Sequence, residues 1–360
     1  MLRYITRKLF YSLLILWGVL TLIFFLFNVL PGDPARMMMG QRADSTSIAA
    51  VRQDLGLDKP VWQQYGKYLN DLSPLSFHET KDKQSYFYLD TKVYSPFTTL
   101  VKLGSHKSLV FKYPYLRRSY QSKKEVSAII KETLPNTMIL AVTAIVFASL
   151  LGIFLGVLSA LYKDTWYDRF SLVVSTLGMS LPSFFAAILI GWLFAFVLAP
   201  VTGLNLTGNL IVLDDFGEGI HYEWKNLILP AFTLGIRPLS VFIQLTRNSM
   251  LDVLSQDYIR TARAKGLSET KVIFKHALKN ALNPVITAIS GWFASLMAGV
   301  VFVEYIFAWK GLGFVVVDAL NNQDLPLVLG CVLTISIIFI IINFLVDIVY
   351  SLLDPRVRLY

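Results

Sequence analysis

Apolar and polar stretches alternate along this chain on a scale too long for a soluble core. Six apolar runs stand out, at 9–30, 134–162, 170–199, 227–246, 284–308 and 326–350. Each reaches the length of a membrane-crossing helix, about 20 residues. The first run follows Arg3, Arg7 and Lys8. It exceeds the roughly 7–15-residue core of a secretory signal, and no small-x-small cleavage site follows it, so it reads as an uncleaved span. "LPGDPA" then stops the helix with two prolines and a glycine. The third run contains Pro182 and is long enough to tilt or kink.

The cations set a direction. With the N-terminus inside, Arg3, Arg7, Lys8, Lys163, Arg169, Arg356, Arg358 and the seven Lys and Arg between 247 and 283 all face inward. The two short outer loops keep only Lys225 and Lys310. This is the positive-inside pattern, and six crossings place both termini inside. Segment 31–133 is also basic, but a segment beyond about 60 residues translocates largely regardless of charge. Within it, "LGLDKPVWQQYGKYLNDL" has helical spacing, whereas "SYFYLDTKVYSPFTTLVKLGSHKSLVFKYPY" is rich in Tyr, Phe, Val and Thr and leans to strand. The expectation is a small extracytoplasmic lobe, partly β, that either docks a soluble partner or covers the bundle.

Composition adds exclusions. The chain is 55% hydrophobic and 16% charged, against about 25% charged in soluble domains. The net charge of +9 fits basic loops of a membrane protein rather than a nucleic-acid surface. The single cysteine, Cys331, excludes an internal disulfide and a cysteine metal cage. No phosphate-binding G-x-x-x-x-G-K-[ST], zinc-binding H-E-x-x-H or nucleophilic G-x-S-x-G occurs. His78, His106, His221 and His276 are scattered, and Asp214, Asp215, Glu218, His221 and Glu223 read as a solvated loop rather than a metal site. No catalytic residue, cofactor or metal is expected.

Between the fourth and fifth runs lies "YIRTARAKGLSETKVIFKHALKN". Residues 257–265 suit a helix, Gly266 suits a positive-φ end, Ser268 suits the N-cap of a second helix to about Lys279, and Asn283-Pro284 suits the start of the next span. Val272, Ile273 and Ala277 form an apolar side opposite Lys271, Lys275 and Lys279. Such a pair either lies on anionic lipid or docks a cytoplasmic protein.

This stretch resembles the coupling loop of permeases of ATP-binding-cassette (ABC) importers in the dipeptide/oligopeptide/nickel group. The superfamily pattern Glu-Ala-Ala, three residues, Gly aligns with Arg260, Thr261, Ala262 and Gly266, with Leu267 next, and the resemblance implies that these five residues couple the chain to a groove of the ATPase. "LPGDPA", "LGLDKPVWQQY", "TLPNT", "LTRNSMLDVL", "EYIFAWKGLG" and "DPRVR" fit the first of the two permease subunits, while residues 76–113 look like an insertion. The resemblance implies an all-α integral membrane fold, a six-span type I importer permease with the α+β lobe between spans one and two. It implies a first span over 1–31, a lobe over 32–132, a permease core over 133–352 with the coupling loop at 248–283, and a cytoplasmic tail over 353–360. It places the chain in a bacterial plasma (inner) membrane as a pore-forming, non-enzymatic subunit. Its implied partners are a second homologous permease, cytoplasmic ABC ATPase subunits and an extracytoplasmic solute-binding protein. The implied cargo is dipeptides or oligopeptides, with nickel or another small solute as the alternative. An ATPase-independent secondary transporter is the reading against which the coupling loop argues.

Arg237 lies roughly 15 Å into the fourth run, by helical rise, and is followed by Pro238. An arginine beside a helix break at mid-depth suits a translocation pathway, with an intrabundle partner as the alternative. Glu304 and Asp347 fall near span ends and read as structural or interfacial.

Overall fold

The computed structural model describes residues 2–29, 33–39, 44–82, 85–94, 96–104, 106–213 and 219–353. Part of "LPGDPA", the acidic residues Asp214, Asp215 and Glu218, and "DPRVR" lie outside the described residues.

Four helices are long and apolar enough to cross a membrane alone: Thr6–Phe27, Val126–Leu161, Lys225–Leu254 and Leu325–Ile348. Two bent pairs qualify together, Trp166–Ser180 with Ser183–Val197 at 114° and Glu269–Met297 with Val300–Ile306 at 54°. Counting each pair as one span gives the expected six.

The third span is broken rather than merely tilted or kinked. Pro182 lacks an amide donor, and its ring drives the residue before it out of the helical region. Leu181 accordingly sits at φ −74, ψ 128, and Pro182 itself at φ −60, ψ 139. Other prolines behave differently. The fourth span runs unbroken through Pro230 and Pro238, so the helix break anticipated beside Arg237 is absent. Pro284 lies inside Leu278–Ile306 and does not start the fifth span. Where packed neighbours hold a helix, one missing donor is tolerated.

The chain forms two compact units. The first comprises residues 1–12, 133–314 and 335–360. Its core is lined by Leu140, Ala144, Leu234, Phe242, Val300 and Trp309. Gly152 and Gly156 let the second span approach the fourth closely, the small-xxx-small device of membrane helices. A methyl group added at Gly156 would lie 2.6 Å from Thr246 Cβ and 2.7 Å from the Ile243 carbonyl oxygen.

The second unit comprises residues 13–132 and 315–334. Here the helix Val61–Leu72 packs on the first span. Phe24 meets Tyr65 at 5.2 Å between ring centroids, Phe25 meets Trp62 at 5.2 Å, and the hydroxyls of Thr21 and Tyr65 are 2.6 Å apart. An antiparallel sheet follows, made of β1 (Leu75–Glu79), β2 (Phe97–Leu103) and β3 (Lys107–Lys112) in the order β1-β3-β2. The lobe is thus α+β. Its interior is unusually polar. Asp71 accepts from the Tyr94 hydroxyl at 2.8 Å and from Arg117 Nε at 2.8 Å. His78 is buried 3.1 Å from Ser76 Oγ, with its ring 4.6 Å from that of Tyr94.

Burial first, then the Lys67 and Lys112 cations, push the His78 imidazole down to about 4. The unfolded chain takes up this proton near 6.5. Between those values the unfolded state binds more protons, so the lobe loses stability as pH falls through the window, by about 2–3 kcal/mol in all. Hydrogen exchange of lobe amides in the intact protein should therefore accelerate, beyond the intrinsic rate change, between neutrality and about pH 5. His78→Phe should flatten that dependence. An unchanged wild-type exchange profile would refute it.

Candidate coupling surface

The segment between spans four and five folds as its residues suggest up to Gly266. Helix Asp257–Ala264 starts after Gln256, which is extended at φ −73, ψ 149. It ends at Gly266, whose φ of +75 is the left-handed conformation that favours glycine. Ser268 is extended again at φ −60, ψ 144, and a turn Glu269–Lys271 leads into a π-helical turn, Val272–Ala277. That turn runs on into Leu278–Ile306, so the second short helix is the root of the fifth span rather than a separate piece. Arg263 braces the bend against Glu269, with Nε–Oε1 at 2.9 Å and Nη2–Oε2 at 3.3 Å. Asn280 Nδ2 donates to the Tyr258 hydroxyl at 2.9 Å, fixing the first helix to the base of the span.

The element has two faces. On one, Ile259, Ala262, Val272, Ala277 and Ala281 are buried against Val157, Ala160 and Met250, and the half-buried Leu267 packs on the same cluster. The apolar face is therefore covered by the chain's own second and fourth spans, not by a partner or by lipid. Ala262, expected at the partner surface, is 6% exposed and faces this cluster. The other face carries Arg260, Thr261, Arg263, Lys265, Gly266, Lys271, Lys275 and Lys279, all exposed. Among these cations stands Phe274, 61% exposed, a residue the sequence pattern had not singled out. Its only signal was an aromatic adjoining the apolar pair Val272-Ile273, where the π turn carries it outward.

Just above this element, three helices are tied together. Asp168, in the first turn of Trp166–Ser180, accepts Arg247 Nε at 2.6 Å and Nη2 at 2.7 Å. Ser159 of the second span also donates to it, and the amide of Asp164 does so at 3.0 Å. Asp168 and Arg247 are 79 residues apart, too far for a local pattern to reveal.

Arg237 is not brought to this surface. It lies 13 positions before Met250, roughly 20 Å along the same helix. Its side chain is exposed while Pro238 is buried, and among the described residues it makes no hydrogen bond or ion pair within the chain. Glu304 is structural: its Oε2 accepts the amides of Gly313 at 2.7 Å and Phe314 at 3.2 Å. Asp347 pairs with Lys8.

Comparison with known proteins follows the same division of the chain. The family described as binding-protein-dependent transport system inner membrane component matches residues 152–359, and its N-terminal companion matches residues 1–81. The dipeptide transport system permease protein DppB of Alkalihalophilus pseudofirmus is 33% identical, covering 99% of this chain and 100% of that protein. The di/tripeptide transport system permease protein DppB of Pseudomonas aeruginosa is 36% identical, covering 99% of each. The glutathione transport system permease protein GsiC of Escherichia coli is 33% identical, again covering 99% of each. Among solved structures, the inward-facing MetNI methionine ABC transporter shares the fold at a TM-score of 0.50 and 14% identity, over 63% of this chain and 96% of that one.

Proposed function

The chain belongs to the family of binding-protein-dependent transport system inner membrane components, and from that premise we propose that it carries short peptides across the membrane. It is a multi-pass permease component of an ABC importer. The observation that carries the peptide reading is that relatives matching essentially the whole chain are named for dipeptide, di/tripeptide and glutathione transport. The remaining subunits follow from the family: a second homologous permease, cytoplasmic ABC ATPases and an extracytoplasmic solute-binding protein. In this reading the N-terminus and the tail 353–360 are cytoplasmic, the lobe 32–132 is extracytoplasmic, and the core 133–352 forms one wall of the pathway.

The ATPase seats on Arg260, Thr261 and Gly266 with Phe274 and Tyr258, whereas Ala262 and Leu267 hold the element against its own spans. Arg237, exposed in mid-span and without a hydrogen-bond or ion-pair partner among the described residues, supplies a cation for the carboxylate of a passing peptide, and Pro238 fixes the backbone beside it.

The test is uptake by the reconstituted complex, with and without Gly266→Val. Wild type should accumulate dipeptides and tripeptides in an ATP-dependent manner and should not accumulate nickel; nickel uptake alone would overturn the cargo. No atom lies within 4 Å of a Cβ added at Gly266, so what opposes valine there is the left-handed backbone rather than crowding at the Cβ, at about 1–2 kcal/mol. Insertion should be normal, while ATPase retention on affinity purification and peptide uptake both fall severalfold. Normal retention with normal uptake would overturn the coupling assignment.

A further inference from the structure

The lobe sheet carries apolar side chains on both faces. On the face turned into the lobe, Val110 packs with Leu89 and Tyr94, and Ser76, His78, Ser108 and Lys112 are buried beside it. On the opposite face the residues are apolar and open. Leu75 pairs with Phe111, Phe77 with Leu109, Thr98 with Phe111 and Val101 with Leu109, which places these side chains together. Phe77 is 57% exposed and Phe111 54%, and Tyr113, just beyond β3, is 76% exposed. Ordinary half-buried sheets keep the open face polar. A contiguous exposed apolar face of this kind marks a surface that something else covers.

Two observations say what covers it. The first is where the sheet is held. β1 begins three residues after the helix Val61–Leu72, which packs on Thr21, Phe24 and Phe25 of the membrane-crossing first helix. Asn70 of that helix bonds the Phe77 backbone both ways, Nδ2 to the carbonyl oxygen at 2.9 Å and Oδ1 to the amide at 2.8 Å. The sheet is therefore pinned to a helix that itself lies against a span. The second is charge. Residues 75–113 hold six lysines against Glu79, Asp82 and Asp90, and Lys107, paired with Leu103, stands exposed on the outward face at the β2–β3 end of the sheet. Exposed aromatic and apolar side chains bordered by lysine fit the boundary between acyl chains and anionic headgroups.

We propose that the outward face of this sheet rests on the bilayer surface beside the first span, with Phe77, Phe111 and Tyr113 in the headgroup–acyl boundary and Lys107 on anionic lipid. The lobe is then a membrane-seated platform, whatever cargo passes through the core.

The experiment uses the assembled complex in nanodiscs of phosphatidylethanolamine and phosphatidylglycerol. Phe77→Cys, Phe111→Cys and, as a control on the opposite side of the edge strand, Thr99→Cys are made in a Cys331→Ala background and labelled with bimane. Lipids brominated high on the acyl chain should abolish most emission at positions 77 and 111 and leave position 99 unchanged. Lys107→Gln should weaken that quenching and reduce its dependence on phosphatidylglycerol. Unquenched emission at 77 and 111 would overturn the proposal. If that emission instead shifts on adding a soluble solute-binding protein, the face is a protein-docking surface. Equal quenching at all three positions would also overturn it, since the sheet would then have no preferred face.

Discussion

Ala262→Arg is expected to damage the subunit itself before it affects contact with any partner. Ala262 sits in a cluster with Ile259, Val272, Val157 and Met250. Arginine there overfills a packed site and strands an unpaired charge, a loss of about 3 kcal/mol or more. The purified subunit should melt earlier and accumulate less. Arg260→Glu and Phe274→Ser change exposed side chains, so stability should move by only about 0.5 kcal/mol. These two should instead release the ATPase. Thermal melting and ATPase retention, measured on all three variants, separate the two faces. A stable, fully accumulated Ala262→Arg subunit that merely lost its ATPase would show that the inner face had been misplaced.

The Asp168–Arg247 tie should give the second large effect. Their side chains are 2% and 13% exposed, so removing one leaves the other charged and mostly buried. Asp168→Ala is expected to cost about 3 kcal/mol, since a stranded partner dominates the loss. Arg247→Lys keeps the charge but loses the two-pronged geometry, at about 1 kcal/mol. The double variant Asp168→Leu with Arg247→Met leaves nothing stranded and should melt above Asp168→Ala. If the loss in the double variant equals the sum of those for Asp168→Leu and Arg247→Met made singly, the two residues act independently, contrary to the geometry. Because the tie joins spans two, three and four just above the coupling surface, Arg247→Lys should also lower uptake per ATP hydrolysed.

Much of this architecture was legible because bilayer thickness is a blunt ruler. Six runs of sufficient length stood out without any packing information, and a lone glycine between two helical patterns announced the positive φ at Gly266. The aromatic, β-branched composition of 86–113 likewise announced strands. What stayed hidden depended on neighbours. Pro182 breaks its helix while Pro230, Pro238 and Pro284 do not, and nothing local to those residues distinguishes them. Periodicity revealed an apolar face on the coupling element but not that Val157, Ala160 and Met250 already cover it, so the packing of Ala262 stayed hidden. The Asp168–Arg247 pair joins two segments distant in sequence and leaves no periodic trace.

The π turn at Val272–Ala277 has a consequence for how such a chain can vary. A π turn holds one residue more than an α turn, so it stores a surplus residue at the root of the fifth span. Deleting one residue there would restore the α repeat and keep the two flanks nearly in their present register. Deleting one from the α turn between it and Asn280 would instead rotate everything before it by roughly 100°, and Tyr258 would leave Asn280. The surplus residue is therefore the one change of length this joint can absorb when the element is grafted onto another permease.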